Sequence, residues 1–302
     1  MSKLCYKCKL EILDKDLKYG LHNGCFREWF GLDQPEDFKN VVSKTSSERS
    51  GEEFSSINTS FFLGKFRKYS AELGLHSYIL KVQESEYSEL PFIEYICNRI
   101  GKELELNISD FFIIDFGDSP VPTFVSRNFI KKERRENLLH IYRFLKKKEE
   151  FDCCNIIRII AEQTGKMSEI DRFIELCLFD SLIGNHDRHG RNIGFIEKAN
   201  SKELAPFYDN TSYIGIEEYN LLLADHDPRG KIATSETIEP TMKDYVKEFK
   251  LLNYKDKVIS FCKRIDIKRI FSLIDESFMS DKRKVAFKKI VEKRFKELND
   301  AI

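Results

Sequence analysis

Four residues separate Asp187 from Asn192 within Asn185-His186-Asp187-Arg188-His189-Gly190-Arg191-Asn192, and a further carboxylate closes Pro206-Phe207-Tyr208-Asp209. These residue types at this spacing suit phosphoryl transfer, which leaves a protein little covalent chemistry to do. It needs a carboxylate to orient or deprotonate the attacking hydroxyl, and two oxygen ligands for a hard cation that neutralises phosphate charge. Asp187 fits the first role; Asn192 and Asp209 fit the second, as Mg²⁺ ligands. A polar run of this kind also serves as an ordinary surface loop, with His, Asp and Gly capping a helix. The surrounding elements must therefore decide.

Upstream, Ile170 to Ile183 is apolar over most of a helical circumference, which predicts a helix buried inside a domain. Ser168, with Asp171 three residues on, is the expected cap, and Gly184 the expected stop. Beyond the loop, Ile193 to Ile196 and Ala205 to Tyr208 read as short strands, the second running into Asp209. Earlier still, Tyr78 to Val82 reads as a strand carrying Lys81, and Pro91 to Ile100 as an amphipathic helix with Glu94 in its first turn. A strand lysine is more often simply solvated, and an early glutamate commonly serves its own helix terminus. Taken in order, however, the pieces match the lysine–glutamate clamp, catalytic loop and metal aspartate of a kinase that holds ATP.

The run Leu178 to Phe195, together with Leu204 to Asp209, resembles the HipA-like serine/threonine kinases of bacterial toxin–antitoxin systems. Asp187, His189, Asn192 and Asp209 fall on that family's motif positions, with Arg188 where glycine is usual. Phe124 to Phe129 is similar to its hinge segment. The resemblance extends over residues 40–300, and the length is closest to the shorter HipT-type toxin kinases. It implies an α+β, two-lobed protein-kinase-like fold with a small β-containing N-lobe and a larger helical C-lobe. The expected organisation is an N-terminal element at 1–36, the N-lobe at 37–126 and the C-lobe at 127–302. Lys81, Glu94 and Asp209 would hold the nucleotide, and His189 would shape the loop or touch phosphate. The resemblance further implies a growth-arresting toxin acting on a translation component, typically an aminoacyl-tRNA synthetase, with cognate antitoxin proteins as partners.

One departure stands out. No G-x-G-x-x-G run covers the phosphates, and Ser43 to Ser60 is crowded with hydroxyls instead. Composition alone suits a solvated linker. In the resembling family this loop carries self-phosphorylated serines, and Ser56-Ile57-Asn58 is similar to the start of its motif. That implies Ser55, Ser56 or Thr59 as the modified residue, a phosphate adding close to two negative charges.

A separate signal opens the chain. Cys5-x2-Cys8 and His22-x2-Cys25 form two ligand pairs at a spacing that suits tetrahedral Zn²⁺ with no open coordination position, hence a structural site. Such a unit could dock a partner or cap the small lobe. Cys97, Cys153, Cys154, Cys177 and Cys262 stand in apolar helical contexts and read as small core residues.

With 50 basic and 50 acidic residues in 302, no net field draws the chain to nucleic acid or membrane. No secretory segment is evident, and unpaired cysteines fit a reducing cytoplasm. Tyr245 to Lys263, Ile265 to Ser277 and Lys282 to Leu298 predict helices, and Leu221 to Thr241 a polar loop. Two other classes remain. A metal phosphohydrolase would use His140, His186, Asp187 and Asp209, but leaves Lys81 and Asn192 without a role. A catalytically dead kinase fold would act as a binding module; the missing glycine loop favours it and the intact site residues oppose it.

Overall fold

Strand alternation builds the small lobe. The computed structural model describes residues 3–43, 66–83, 85–146, 151–217, 221–223 and 225–302, so Ser55, Ser56 and Thr59 lie outside the described residues. Strands β1 (Lys3–Leu4), β2 (Glu11–Ile12), β3 (Leu17–Lys18) and β4 (Leu21–His22) form two hairpins that lead into α1 (Asn23–Phe30). Then β5 (Lys39–Ser43), β6 (Phe66–Leu73), β7 (His76–Gln83), β8 (Phe111–Phe116) and β9 (Val121–Arg127) make an antiparallel sheet in the order β5-β6-β7-β9-β8. Helix α2 (Leu90–Glu103) crosses between β7 and β8.

Successive side chains on a strand point to opposite faces. On β7, Ile79 and Lys81 face a cleft, while Tyr78 and Leu80 join a core with Leu21, Phe26, Phe30 and Phe38. The N-terminal segment is therefore a layer of the small lobe, packed on the side of the sheet away from the cleft. Phe30 packs tilted against Phe112 at a centroid distance of 4.2 Å. Gly20, at φ 77°, sits so close to Asp115 that a Cβ there would lie 2.5 Å from its Oδ2. Only glycine meets both demands.

The large lobe holds β10 (Asn137–His140), α3 (Cys153–Thr164), α4 (Met167–Ile183), β11 (Gly194–Lys198), β12 (Ser201–Leu204), α5 (Met242–Leu251), α6 (Lys255–Lys263), α7 (Ile267–Asp275) and α8 (Asp281–Ala301). Helix α4 is buried along nearly its whole length, with α3, α5, α6 and α8 packed around it. It ends at Gly184, at φ 69°, where an added Cβ would meet Pro228 at 2.9 Å. No helix among the described residues is long and apolar enough to cross a membrane.

Several expectations need correction. Lys166, not Ser168, precedes α4, and no side chain caps it; Ser168 lies inside the first turn. The stretch from Tyr245 to Lys263 is two helices, broken where Asn253 adopts φ 67°. Ala205 to Tyr208 is not a strand: β12 ends at Leu204, and Phe207 instead bridges to Ile108. Cys97, Cys153 and Cys177 are core residues, but Cys154 is exposed and Cys262 half-buried. Helical periodicity marks a face only approximately, so a flanking position escapes it.

Because residues 3–38 form a layer of this lobe, removing the Phe30 ring must be costly. Phe30→Ala should destabilise the protein by about 3–5 kcal/mol, the usual cost of an emptied aromatic site. Chemical denaturation measures it, and a loss below about 1 kcal/mol, the scale of surface substitutions, would contradict this packing.

Candidate active site

The cleft between the lobes is a cavity of about 460 Å³, lined by Lys68, Ile79, Lys81, Glu94, Phe124 and Asp209 among others. Pro91 stands in the first turn of α2, where a missing N–H costs nothing, and Glu94 lies on the buried side of that helix. Lys81 is buried, with its Nζ bonded both to Glu94 Oε1 and, at 2.5 Å, to Asp209 Oδ1. Burial alone would lower the Lys81 pKa, but the Asp209 and Glu94 carboxylates outweigh it and raise it. Burial would likewise raise Asp209, yet the Lys68 and Lys81 charges hold it far below the usual carboxylate range. Asp209 also sits at φ 53°, a left-handed conformation that a non-glycine residue adopts only under constraint.

The loop after α4 is held by its own polar groups. Asn185 Nδ2 donates to Asp180 Oδ1 at 2.8 Å, and the Asp187 N–H donates to Asn185 Oδ1 at 3.0 Å. Asn192 Nδ2 donates to the Asp187 carbonyl at 3.1 Å. The His189 N–H reaches the same carbonyl at 2.8 Å. Burial takes the His189 imidazole down to about 4, so it is neutral at physiological pH and brings no charge to the site.

Arg188 joins these pieces. Its guanidinium, 1% exposed, grips Asp180 through Nε at 2.7 Å and through a second nitrogen at 2.8 Å. It also donates to the carbonyls of Asn192 (3.0 Å) and Tyr208 (2.6 Å) and to Asn210 Oδ1 (2.7 Å). Asn210 passes the connection on to Asn98 at 3.0 Å, and Asn98 to the Glu94 carbonyl at 2.7 Å. One buried network thus ties α4, the loop, the Asp209 backbone and α2 together.

The structure brings Lys81, Glu94 and Asp209 into direct contact, places Asp187 beside Asn192 and His189, and links the two groups through Arg188. His140 lies elsewhere, 3.3 Å from the Tyr208 hydroxyl, and the His186 ring stands edge-on to Tyr213. Among the described residues the His140, His186, Asp187 and Asp209 side chains form no metal-ligand group. Cys5, Cys8, His22 and Cys25 do, with donor atoms all within 4.8 Å of one another. The sequence reading missed Asp180, Asn210 and Asn98, and treated Arg188 only as a departure. It also missed Lys68, which the register places directly opposite Lys81. That pairing was the available signal.

Residues 44–279 match the family model of the HipA-like C-terminal domain. The chain belongs to the HipA-like C-terminal domain family. Over 145 residues it is 26% identical to the serine/threonine-protein kinase CtkA of Helicobacter pylori strain J99, a match covering 42% of this chain and 44% of that protein. The chain thus spans less than half the length of that relative. The crystal structure of an H. pylori proinflammatory kinase CtkA superposes with a TM-score of 0.62 at 20% identity, covering 78% of this chain and 92% of that one. HipA of Shewanella oneidensis MR-1, solved with HipB and operator DNA, superposes at 0.55 with 16% identity, covering 74% and 60%. These likenesses place the HipA-like chain in the two-lobed kinase fold.

Removing Arg188 would strand Asp180 in the interior. Arg188→Met should destabilise by about 3–5 kcal/mol, as for other broken buried pairs, and Arg188→Lys should rescue little because an ammonium cannot fork. Asp180→Leu combined with Arg188→Met should recover much of the loss. Denaturation midpoints of the three variants test this, and equal losses in the single and double variants would contradict it.

Proposed function

We propose that the chain is an ATP- and Mg²⁺-dependent serine/threonine protein kinase. The observation that carries this reading is Lys81, held at once by Glu94 and Asp209 in the cleft and joined through Arg188 to the Asp187–Asn192 loop. Asp187 takes the proton of the substrate hydroxyl as its oxygen bonds to the γ-phosphorus. The bond from that phosphorus to the β–γ bridging oxygen breaks, and ADP leaves. Lys81 exchanges Asp209 for nucleotide phosphate, with Glu94 keeping the ammonium in position. Asn192 and Asp209 offer the oxygen donors that Mg²⁺ prefers, and the Asp209 side chain, 27% exposed, is open to the cleft. The ion supplies neutralisation of phosphate charge. His189 acts as a neutral shaper of the loop.

Family membership supports a toxin role. The reading extends to growth arrest through phosphorylation of a translation component of the aminoacyl-tRNA synthetase class, in the cytoplasm, with a cognate antitoxin protein as partner, as HipB is for the Shewanella HipA. Self-phosphorylation at Ser55, Ser56 or Thr59 belongs to the same reading, as does membership of the short HipT-type branch.

Intact-mass measurement after incubation with ATP and Mg²⁺ tests the activity. Phosphate-sized additions are expected on the active chain and none on Asp209→Asn. Asp187→Asn should slow transfer by about 10²–10⁴-fold, the usual weight of a general base, while retaining ATP binding. Undiminished transfer in either variant would refute the assignment. ATP binding with no transfer to itself or to any cellular protein would favour the catalytically dead binding module.

A further inference from the structure

We propose that Cys5, Cys8, His22 and Cys25 bind one zinc ion, and that the ion holds α2, and Glu94 with it, in place from behind. The four donor atoms all lie within 4.8 Å of one another. Cys8 Sγ lies 3.4 Å and Cys25 Sγ 3.8 Å from His22 Nδ1. Zinc with ordinary bond lengths would set sulfur and nitrogen about 3.5 Å apart. The histidine is also oriented for it: His22 Nε2 lies 2.9 Å from the Glu11 carbonyl. A carbonyl only accepts, so Nε2 carries the proton and the Nδ1 lone pair faces the three sulfurs. Such outer hydrogen bonds commonly fix the tautomer of metal-bound histidine. The first ligand pair is shaped by a tight turn, with the Lys9 N–H bonded to the Cys5 carbonyl at 2.8 Å and Lys9 at φ 62°.

Three thiolates and a neutral imidazole around Zn²⁺ leave one net negative charge, and binding releases the thiol protons to solvent. The cluster closes two hairpins whose own strands are only two residues long, too short to hold their shape unaided.

What the element touches gives the ion its consequence. Tyr6, between the first two ligands, donates its hydroxyl to Asp115 Oδ1 at 2.8 Å and meets Phe92 at 5.9 Å and Phe278 at 5.0 Å. Trp29, four residues after Cys25, meets Tyr95 at 6.4 Å. Phe92 and Tyr95 flank Glu94 on α2, and Phe278 belongs to the large lobe. Lys9 reaches the large lobe too, at Glu276 (3.2 Å). The hairpins therefore form a strut against the helix that carries the partner of Lys81.

Elemental analysis of the purified full chain, with cobalt(II) exchange, tests the ion. One equivalent of zinc, and a cobalt form with thiolate charge-transfer and tetrahedral ligand-field bands, are expected. Amide hydrogen exchange over 90–103, which does not depend on kinase activity, tests the strut. Chelation should speed exchange there about tenfold, within the usual range of coupling between sites. Trp29→Ala should do the same while keeping its zinc, so the result does not hinge on the metal-free chain staying folded. Substoichiometric metal, a Cys5–Cys8 or Cys8–Cys25 disulfide in its place, or unchanged exchange across α2 in both cases would overturn the proposal. A zinc-loaded chain with a firm α2 that bound no ATP would instead count against the kinase reading alone.

Discussion

The Arg188–Asp180 pair is the interaction on which the rest of the site depends. Two charges taken out of water cost several kcal/mol each, and their attraction offsets this only when the remaining donors and lone pairs are also matched. Here the match is made by the functional segments themselves. The guanidinium spends its other hydrogen bonds on the carbonyls of Asn192 and Tyr208 and on Asn210. The loop cannot move without leaving a buried donor unsatisfied, which costs about 1–3 kcal/mol per group. Burial therefore turns an expensive pair into a positional constraint on Asp187, Asn192 and Asp209.

The same logic applies to the segment that approaches Asp209 from β12. Buried Glu169 on α4 accepts from the Leu204 N–H at 3.0 Å and from Arg172 at 2.7 Å, and Arg172 donates in turn to the Ala205 carbonyl at 3.1 Å. Both approaches to the cleft are thus anchored on α4, the most deeply buried helix of the large lobe. Its largely apolar surface fixes it among its neighbours, and Glu169, Arg172 and Asp180 reach from it to the segments of the site. A rigid helix holds such groups more closely than a loop could.

Much of this was legible in the residues. Apolar residues around the whole of Ile170 to Ile183 require a central helix, and Gly184 after them requires a stop. Lys81 on an apolar strand and Glu94 on the next helix were legible as the two halves of a clamp by their order in the chain, and the structure pairs them. What was not legible has a common cause. Arg188, Asp180, Asn210 and Asn98 are meaningful only together, and they are spread from α2 to the segment after β12. Local periodicity carries no information about such contacts. Residues 3–38 were hard to place for a related reason: pairing of short hairpins with a distant sheet leaves no local pattern, although the Cys and His spacing was visible at once.

The electrostatics of the cleft follow from one register. Lys68 and Lys81 are cross-strand partners, an arrangement of like charges that is unfavourable by itself. Lys81 is compensated by Glu94 and Asp209, whereas Lys68 has no ion pair among the described residues and acts on Asp209 through space. Counting the lining side chains, three cations (Lys68, Lys81 and Arg127) face three carboxylates (Glu94, Glu136 and Asp209), and the cleft is balanced. A divalent cation at Asp209 would break that balance toward positive charge, at the point where a polyphosphate would have to lie. The sequence has no G-x-G-x-x-G run, and among the described residues side-chain charge is what the cleft offers to such a ligand. A fold shared at low identity does not by itself fix what is bound, so the chemistry of the cleft rests on the placement of those few charges on a fixed frame.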